Sequence, residues 1–374
     1  MSWADCELGD VVTLKRGHDL PNGRRVQGVI PVVSSSGITG WHNEAKAEPP
    51  GVVTGRYGTI GEVFYLDRPY WPLNTALYAI DFHGNDPRFV AYFLRNHLRN
   101  YQSEKAAVPG VDRNVLHKMK VRCPDPQAQE RIVSILSAYD DLIENNRRRT
   151  LLLEQAARLL YREWFVHLRF PGHETAKIVD GLPEGWSSPK LGDVCSTNKK
   201  SHKAGKLPPR LRYIDIGSVS TGRIDHATDM SAEEAPGRAR RIAEDGDTIW
   251  SNVRPNLRAY ALVTAPRPED VFSTGFTVLH AEAVSPYFLY LAVTTDDFVK
   301  HLENHATGVG YPAVRADDFE RALVIKPTDA VMAKFHELCQ PIFSQRQQFF
   351  DQNAKLTRAR DLLLPRLMDG RIPV

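Results

Sequence analysis

The chain has 374 residues and a formal net charge of +3, with 42% hydrophobic and 25% charged residues. Those proportions are ordinary for a globular protein with room for about two domains. The weak positive charge permits a polyanionic partner without demanding one. No stretch approaches the roughly 20 apolar residues that span a bilayer, and the opening Met1-Ser2-Trp3-Ala4-Asp5-Cys6-Glu7 has neither the basic nor the apolar region of a secretion signal. The expectation is a cytoplasmic protein with no membrane association. Its four cysteines, Cys6, Cys123, Cys195 and Cys339, form no C-x-x-C pair or Cys/His cluster and read as reduced core residues.

Residues 1–124 read as a mixed, strand-rich domain. The runs Gly28–Val33, Gly51–Thr54, Glu62–Leu66 and Ala76–Ile80 are β-branched or aromatic and are separated by Gly, Pro, Asn and Ser. A helix is expected over Asp86–Arg99, with Pro87 at its first position and an apolar stripe of Phe89, Val90, Phe93, Leu94 and Leu98. Pro124-Asp125-Pro126 ends the strand pattern, and residues 125–170 form a long helix. Asp125 and Glu130 suit its first turn, where the helix dipole favours acids. Its seam alternates steps of four and three through Ile132, Leu136, Tyr139, Ile143, Asn146, Thr150, Leu153, Ala157, Leu160 and Trp164. Such a helix, about 60 Å long at 1.5 Å per residue, wants a long partner.

A turn-rich linker, 171–186, leads to a second strand-rich domain, 187–326. Arg212–Ile216, Asp247–Trp250 and Phe276–Leu279 read as strands, and one short helix is expected near Pro286–Val299. Residues 327–374 form the second long helix. Its seam is Phe335, Cys339, Ile342, Arg346, Phe349, Asn353, Leu356, Arg360, Leu363 and Leu367, with two arginines in it. Asn146 and Asn353 are candidates to fix the register, and Pro365 should kink or end this helix.

The chain is thus built twice. Trp3 precedes Leu8-Gly9-Asp10-Val11, and Trp186 precedes Leu191-Gly192-Asp193-Val194, a shift of 183 residues; the helical segments repeat at a shift of 203, so the second globular segment is 20 residues longer. The fold class is α+β: two mixed strand-rich domains, each followed by a long helix, the two helices pairing with each other in an internal repeat of pseudo-two-fold symmetry. B-DNA has two-fold symmetry of its own, so a duplication can set two readers on two half-sites.

Catalytic signatures are missing. There is no phosphate loop, H-E-x-x-H, G-x-S-x-G or adenine-methyltransferase Asn-Pro-Pro-aromatic run, and Gly55-Arg56-Tyr57-Gly58-Thr59-Ile60-Gly61 misses the dinucleotide fingerprint. What remains is basic, glycine-rich loop chemistry. The first domain has Lys15–His18, Arg24-Arg25, Ser34–Gly37 and Thr54–Thr59. The second has Lys199–Lys203, Arg238–Arg241 and Ser251–Arg258. Arg and Lys grip phosphates or guanine edges, Asn reads adenine, and glycine lets backbone approach a groove. Taken singly, each cluster is as well explained as a solvated surface loop.

Several elements together resemble the specificity subunit of type I restriction–modification systems. They are the repeated Trp-x4-Leu-Gly-Asp-Val, the linker Leu182-Pro183-Glu184-Gly185-Trp186, the loop Arg56–Gly61, and the helix start Pro124-x-Pro126-x2-Gln129-Glu130-x-Ile132. The helix body Leu151–Gln155 and the ending Leu364–Gly370 complete the set. The second copy departs from it: Ser251–Asn256 stands in place of the Gly-Thr-Ile-Gly loop, and Thr328-Asp329-Ala330 lacks the Gln-Glu pair.

The resemblance implies a non-catalytic subunit whose two target-recognition domains read an asymmetric bipartite site on double-stranded DNA. The two helices would pack as an antiparallel coiled coil and set the gap between the half-sites. It implies partners: modification subunits, two of them, that bind S-adenosylmethionine and methylate adenine, and a restriction subunit using ATP and Mg, the chain itself holding no cofactor or metal. The candidate DNA-binding residues are Arg16, Arg25, Ser35, Arg56, Tyr57 and Thr59 in the first domain, and Lys200, Arg240, Arg241, Asn252, Arg254 and Asn256 in the second. Ile132, Leu136, Ile143, Leu153, Leu160, Trp164, Ile342, Phe349, Leu356 and Leu363 are the candidate coiled-coil and partner positions. Trp164, Phe165, Phe349 and Phe350, if exposed, would suit partner docking. Two rival readings are a coiled-coil scaffold with protein-binding ends and a specificity module detached from a fused restriction–methyltransferase.

Overall fold

The computed structural model describes residues 3–57, 59, 61–99, 110–203 and 205–374. Gly58 and Ile60 of the glycine loop lie outside the described residues. The chain forms two compact units, one of Met1–Asn146 with Gln352–Val374, the other of Arg147–Asp351. The long helices Pro126–Tyr161 and Asp329–Met368 each contribute to both.

Unit 1 is built on a four-stranded antiparallel sheet in the order Thr13–Arg16, Ala76–Asp81, Gly51–Gly55, Val63–Leu66. Three of its strands carry the alternating and β-branched residues expected of them. A second sheet, Gly37–His42, Ile30–Ser34 and Trp71–Pro72, completes the domain. The helix Pro87–Leu98 is capped by Asp86, whose carboxylate accepts from Phe89 N at 2.8 Å, and its stripe of Phe89, Val90, Phe93, Leu94 and Leu98 is buried. That stripe joins Ile132 and Leu136 of the first long helix and Leu364, Leu367 and Met368 of the second in one core.

Unit 2 repeats the four-stranded sheet in the same order: Cys195–Thr197, Phe276–Ala281, Thr248–Ser251, Tyr260–Leu262. Its second sheet has five strands where unit 1 has three, and a small hairpin, Val219–Ser220 with Arg223–Ile224, is added. The extra length of the second copy therefore enlarges the outer sheet and leaves the inner one unchanged.

The Leu-Gly-Asp-Val repeat has a local explanation. In each copy the aspartate accepts from the backbone N–H three residues earlier, Asp10 from Glu7 at 2.9 Å and Asp193 from Lys190 at 3.0 Å, closing a helical turn. The glycine lets a short helix approach: a Cβ on Gly9 would lie 3.1 Å from His117 Cβ, and one on Gly192 3.0 Å from Glu320 Cβ. The same two residues then bind the strand that follows, Leu14 N donating to His117 Nε2 at 2.9 Å and Thr197 Oγ1 to Glu320 Oε1 at 2.5 Å.

The helix seam is buried or half-buried along its length. In unit 1 Asn146 Nδ2 donates to Asn353 Oδ1 at 3.0 Å, and Asn353 Nδ2 donates to the Ile143 carbonyl at 3.2 Å. Both seam arginines have acidic partners on the first long helix. In unit 1 Arg360 meets Asp140 at 2.5 Å, and Tyr92 donates to the same carboxylate at 2.6 Å. In unit 2 Arg346 meets Glu154 at 2.8 Å, and Tyr290 donates to Glu154 at 2.7 Å. Each domain thus docks a tyrosine from its short helix on an acid–arginine pair of the helix seam. At the helix start Asp125 accepts from Ala128 N at 2.9 Å as an N-cap. Buried Gln129 bridges to Asn85 Oδ1 at 2.7 Å, the Pro124 carbonyl at 3.0 Å and Asp86 N at 3.1 Å, which explains its place in the motif.

Four expectations are corrected. Trp164, Phe165 and Phe349 are buried, and Phe350 is half-buried, so none offers an exposed docking surface. A π-helical turn, Arg162–Val166, turns Trp164 and Phe165 inward against Phe335, at ring distances of 5.7 and 4.8 Å. The single helix near Pro286–Val299 is two, Pro286–Ala292 and Asp296–His305, because Thr295 stops the first and caps the second by accepting from Phe298 N at 3.2 Å. Of the two outcomes expected at Pro365, a kink or an end, the end does not fall there: the helix runs on to Met368, with Leu364, Leu367 and Met368 held in the core. Of the cysteines, Cys195 and Cys339 are buried while Cys6 and Cys123 are only half-buried on the paired strands Trp3–Glu7 and Lys120–Pro124.

Candidate nucleic-acid interface

The loop that leaves the central strand of the inner sheet is held in the same way in both units. In unit 1 Arg56 N donates to the Thr75 carbonyl at 2.9 Å, and Val111 N donates to the Arg56 carbonyl at 2.8 Å; in unit 2 Asn252 N donates to Gly275 at 2.8 Å and Val314 N to Asn252 at 2.9 Å. Tyr57 then bridges Gly110, and Val253 bridges Ala313. Asn252 therefore occupies the backbone place of Arg56. Its side chain is committed to the scaffold, Oδ1 accepting from Thr277 Oγ1 at 2.7 Å.

In unit 1 Gly55 makes the turn possible, since a Cβ there would lie 1.9 Å from the Thr59 carbonyl oxygen. Ser35 is half-buried beside it, its Cβ 3.3 Å from that position. Arg56 lies over the Tyr57 ring at 4.5 Å, Tyr57 is 42% exposed, and Thr59 is exposed. Arg56 has one weak partner, the Asn74 carbonyl at 3.5 Å, and no ion pair with a carboxylate among the described residues. Arg16, at the end of Thr13–Arg16, is exposed. Arg25 is half-buried and braces the neighbouring strand, Nη1 donating to the Thr39 carbonyl at 2.9 Å.

In unit 2 the loop continues through Arg254 and a 3-10 turn, Pro255–Leu257. Arg254 is exposed and lies over the Tyr311 ring at 4.4 Å. Asn256 is exposed beside it. The remaining expected residues are less available. Lys200 is paired with Glu244 at 2.5 Å. Arg240 donates to the Gly237 carbonyl at 2.9 Å, and half-buried Arg241 donates to Ser201 Oγ at 3.1 Å, with burial lowering its pKa. The loop chemistry thus concentrates on Arg56, Tyr57 and Thr59 in one unit and on Arg254 and Asn256 in the other. Tyr311 was missed because it lies 57 positions from Arg254; its only signal was the glycine-flanked, apolar Gly308-Val309-Gly310-Tyr311.

Among the described residues no group of His, Cys, Asp or Glu is placed to hold a metal ion, and no helix is long and apolar enough to cross a membrane. Two mixed domains on a helix seam, with loop arginines that have no carboxylate partner among the described residues, make up the fold and the site. Residues 2–155 match the family model for the type I restriction modification DNA specificity domain. The chain is 24% identical over 287 residues to the type I restriction enzyme MjaIX specificity subunit of Methanocaldococcus jannaschii, covering 71% of this chain and 63% of that one. It is 23% identical over 338 residues to the HindI specificity subunit of Haemophilus influenzae, covering 72% and 73%. Its fold is that of the type I S subunit from M. genitalium, with a TM-score of 0.61 at 15% identity over 98% of this chain and 96% of that one. Over residues 2–155 the chain matches the specificity-domain family, and over most of its length it is similar to type I specificity subunits, although the match spans just under two thirds of the M. jannaschii relative's length.

Proposed function

We propose that the chain is the DNA-recognition subunit of a type I complex, each unit reading one half of an asymmetric bipartite site. The observation that carries this is an arginine over a tyrosine at the loop leaving the central strand in both units, half-buried Arg56 over Tyr57 and exposed Arg254 over Tyr311 of a second loop, neither with a carboxylate partner among the described residues. A guanidinium not neutralised by a carboxylate is available to phosphate or to a guanine edge. The surrounding strands differ between the units, as reading two different words requires.

In this reading the chain is non-catalytic and the helix seam sets the distance between half-sites. Modification subunits, two per complex, bind S-adenosylmethionine and methylate adenine, and a restriction subunit supplies ATP- and Mg-dependent cleavage. The test is methylome sequencing of a methylation-free host carrying this chain with a cognate modification subunit. A new bipartite adenine-methylated motif is expected; no new motif overturns the proposal. A scaffold that binds only proteins would show no sequence-selective, salt-dependent DNA binding in the purified complex.

A further inference from the structure

We propose that Tyr311 is a positioning residue that holds Arg254 flat to read a guanine in the half-site contacted by unit 2. This rests on the DNA-recognition reading and assigns its chemistry.

Arg254 sits at the tip of its loop with φ +51, a left-handed conformation that an arginine adopts only under constraint. Arg258, three residues after Pro255, is left-handed too, at φ +54. Between them the 3-10 turn Pro255–Leu257 leaves Leu257 61% exposed. The constraint comes from a second loop. Arg254 N donates to the Pro312 carbonyl at 2.7 Å, and Arg254 Nη2 reaches the Gly310 carbonyl at 3.3 Å. That loop is closed by the Thr307–Ala313 bridge, turns through Gly308 at φ +105, and carries Val309 wholly exposed and Tyr311 72% exposed at its tip.

An exposed tyrosine contributes little to a fold, and two strained arginines cost stability. What the arrangement provides is a guanidinium lying over a ring, its central carbon 4.4 Å from the ring centre. A planar guanidinium fork matches the O6 and N7 acceptors of guanine, and holding it beforehand removes part of the entropy cost of the contact. Arg258 is not equivalent, because it is already paired with Asp296 at 2.5 Å. Unit 1 reaches the same stack by a different route, Arg56 lying on the adjacent Tyr57 at 4.5 Å. Two copies whose loops differ in sequence and length each place an arginine over a tyrosine, by different residues.

The test selects duplexes from a random-sequence DNA library with the complex of this chain and its modification subunit. Variants are Arg254→Lys, Tyr311→Ala and Tyr311→Phe, with Arg56→Lys to mark the half-site read by unit 1. A lysine keeps the charge but not the fork, so Arg254→Lys should lose about 5- to 150-fold of the preference for guanine at one position. Tyr311→Ala should lose preference at that same position, and Tyr311→Phe should restore it. The other half-site should respond only to Arg56→Lys. The proposal is overturned if the wild-type half-site of unit 2 has no guanine, if Tyr311→Ala leaves the motif unchanged, or if Arg254→Lys and Tyr311→Ala relax different positions. Recovery of no motif by the wild-type complex would instead sink the DNA-recognition reading.

Discussion

Replacing Glu154 with leucine should destabilise unit 2 far more than replacing its partner Arg346. Glu154 is the shared acceptor of a buried cluster. It takes Arg346 at 2.8 Å, Arg158 Nη2 at 2.8 Å and the Tyr290 hydroxyl at 2.7 Å, and the ion-pair side chains are only 7% and 15% exposed for Arg346 and Glu154. Burial and the neighbouring Glu154 together push the Tyr290 pKa well up, so this hydroxyl stays a donor. Without the carboxylate, Arg346 keeps the Gly222 carbonyl as its hydrogen-bond acceptor among the described residues, and Tyr290 loses its acceptor. Stranding a buried charge costs about 3–5 kcal/mol, and the lost hydroxyl bond about 1 kcal/mol. Because Arg346 retains one carbonyl, about 4 kcal/mol is expected for Glu154→Leu. Arg346→Met leaves Glu154 with Arg158 and Tyr290 and should cost about 1 kcal/mol. The double variant removes the stranded charge and should recover to about 1–2 kcal/mol below wild type. Urea unfolding followed by tryptophan fluorescence reports on unit 2 through Trp164, Trp186 and Trp250, all buried. A double variant as unstable as Glu154→Leu alone would refute the reasoning.

Further outcomes follow from single sites. Gly55→Ala should collapse the recognition loop of unit 1, because its Cβ would meet the Thr59 carbonyl at 1.9 Å; a methylation motif relaxed in one half-site only is expected, and an unaltered motif would count against the loop. Asp10→Ala and Asp193→Ala each remove the acceptor that closes a helical turn and should each cost about 1 kcal/mol in thermal unfolding, while a gap of several kcal/mol between them would show that the two turns are not equivalent. Burial pushes the thiol of Cys123 up to about 11 and those of Cys195 and Cys339 up to about 12, so the reactive thiolate is scarce at pH 8. Iodoacetamide should label these three slowly in the native protein and quickly in denaturant, as mass spectrometry will read; fast native labelling of Cys195 or Cys339 would contradict the burial.

The long helices were legible because a seam of steps four and three is a local pattern that needs no tertiary information. The two arginines within it looked like flaws. Their partners, Asp140 and Glu154, each follow a seam residue, Tyr139 and Leu153, and nothing in sequence couples positions more than 190 apart. The same blindness misplaced Trp164 and Phe165: an aromatic run at a helix end reads as exposed until Phe288, Phe335 and Trp186 arrive from elsewhere to cover it. The break after Ala292 was readable, since Thr295 precedes two acids and an apolar run as an N-cap would. The site was half legible. Arg254 stood out as a basic residue in a turn, but its stacking partner is contributed by a second loop.

In each domain the entering and leaving segments pair at its base, as strands in unit 1 and through two bridges in unit 2. Trp3–Glu7 lies antiparallel to Lys120–Pro124, and in unit 2 Ser187 bridges Lys326 while Lys190 bridges Leu323. The polypeptide therefore enters and leaves each domain through the same doorway, at the foot of the helix that follows. A domain hung on such a two-stranded stem behaves as a cassette. Cut between the stem strands, one reading head could be exchanged for another of different size, as the larger second copy already illustrates, without lengthening the seam or disturbing the other head.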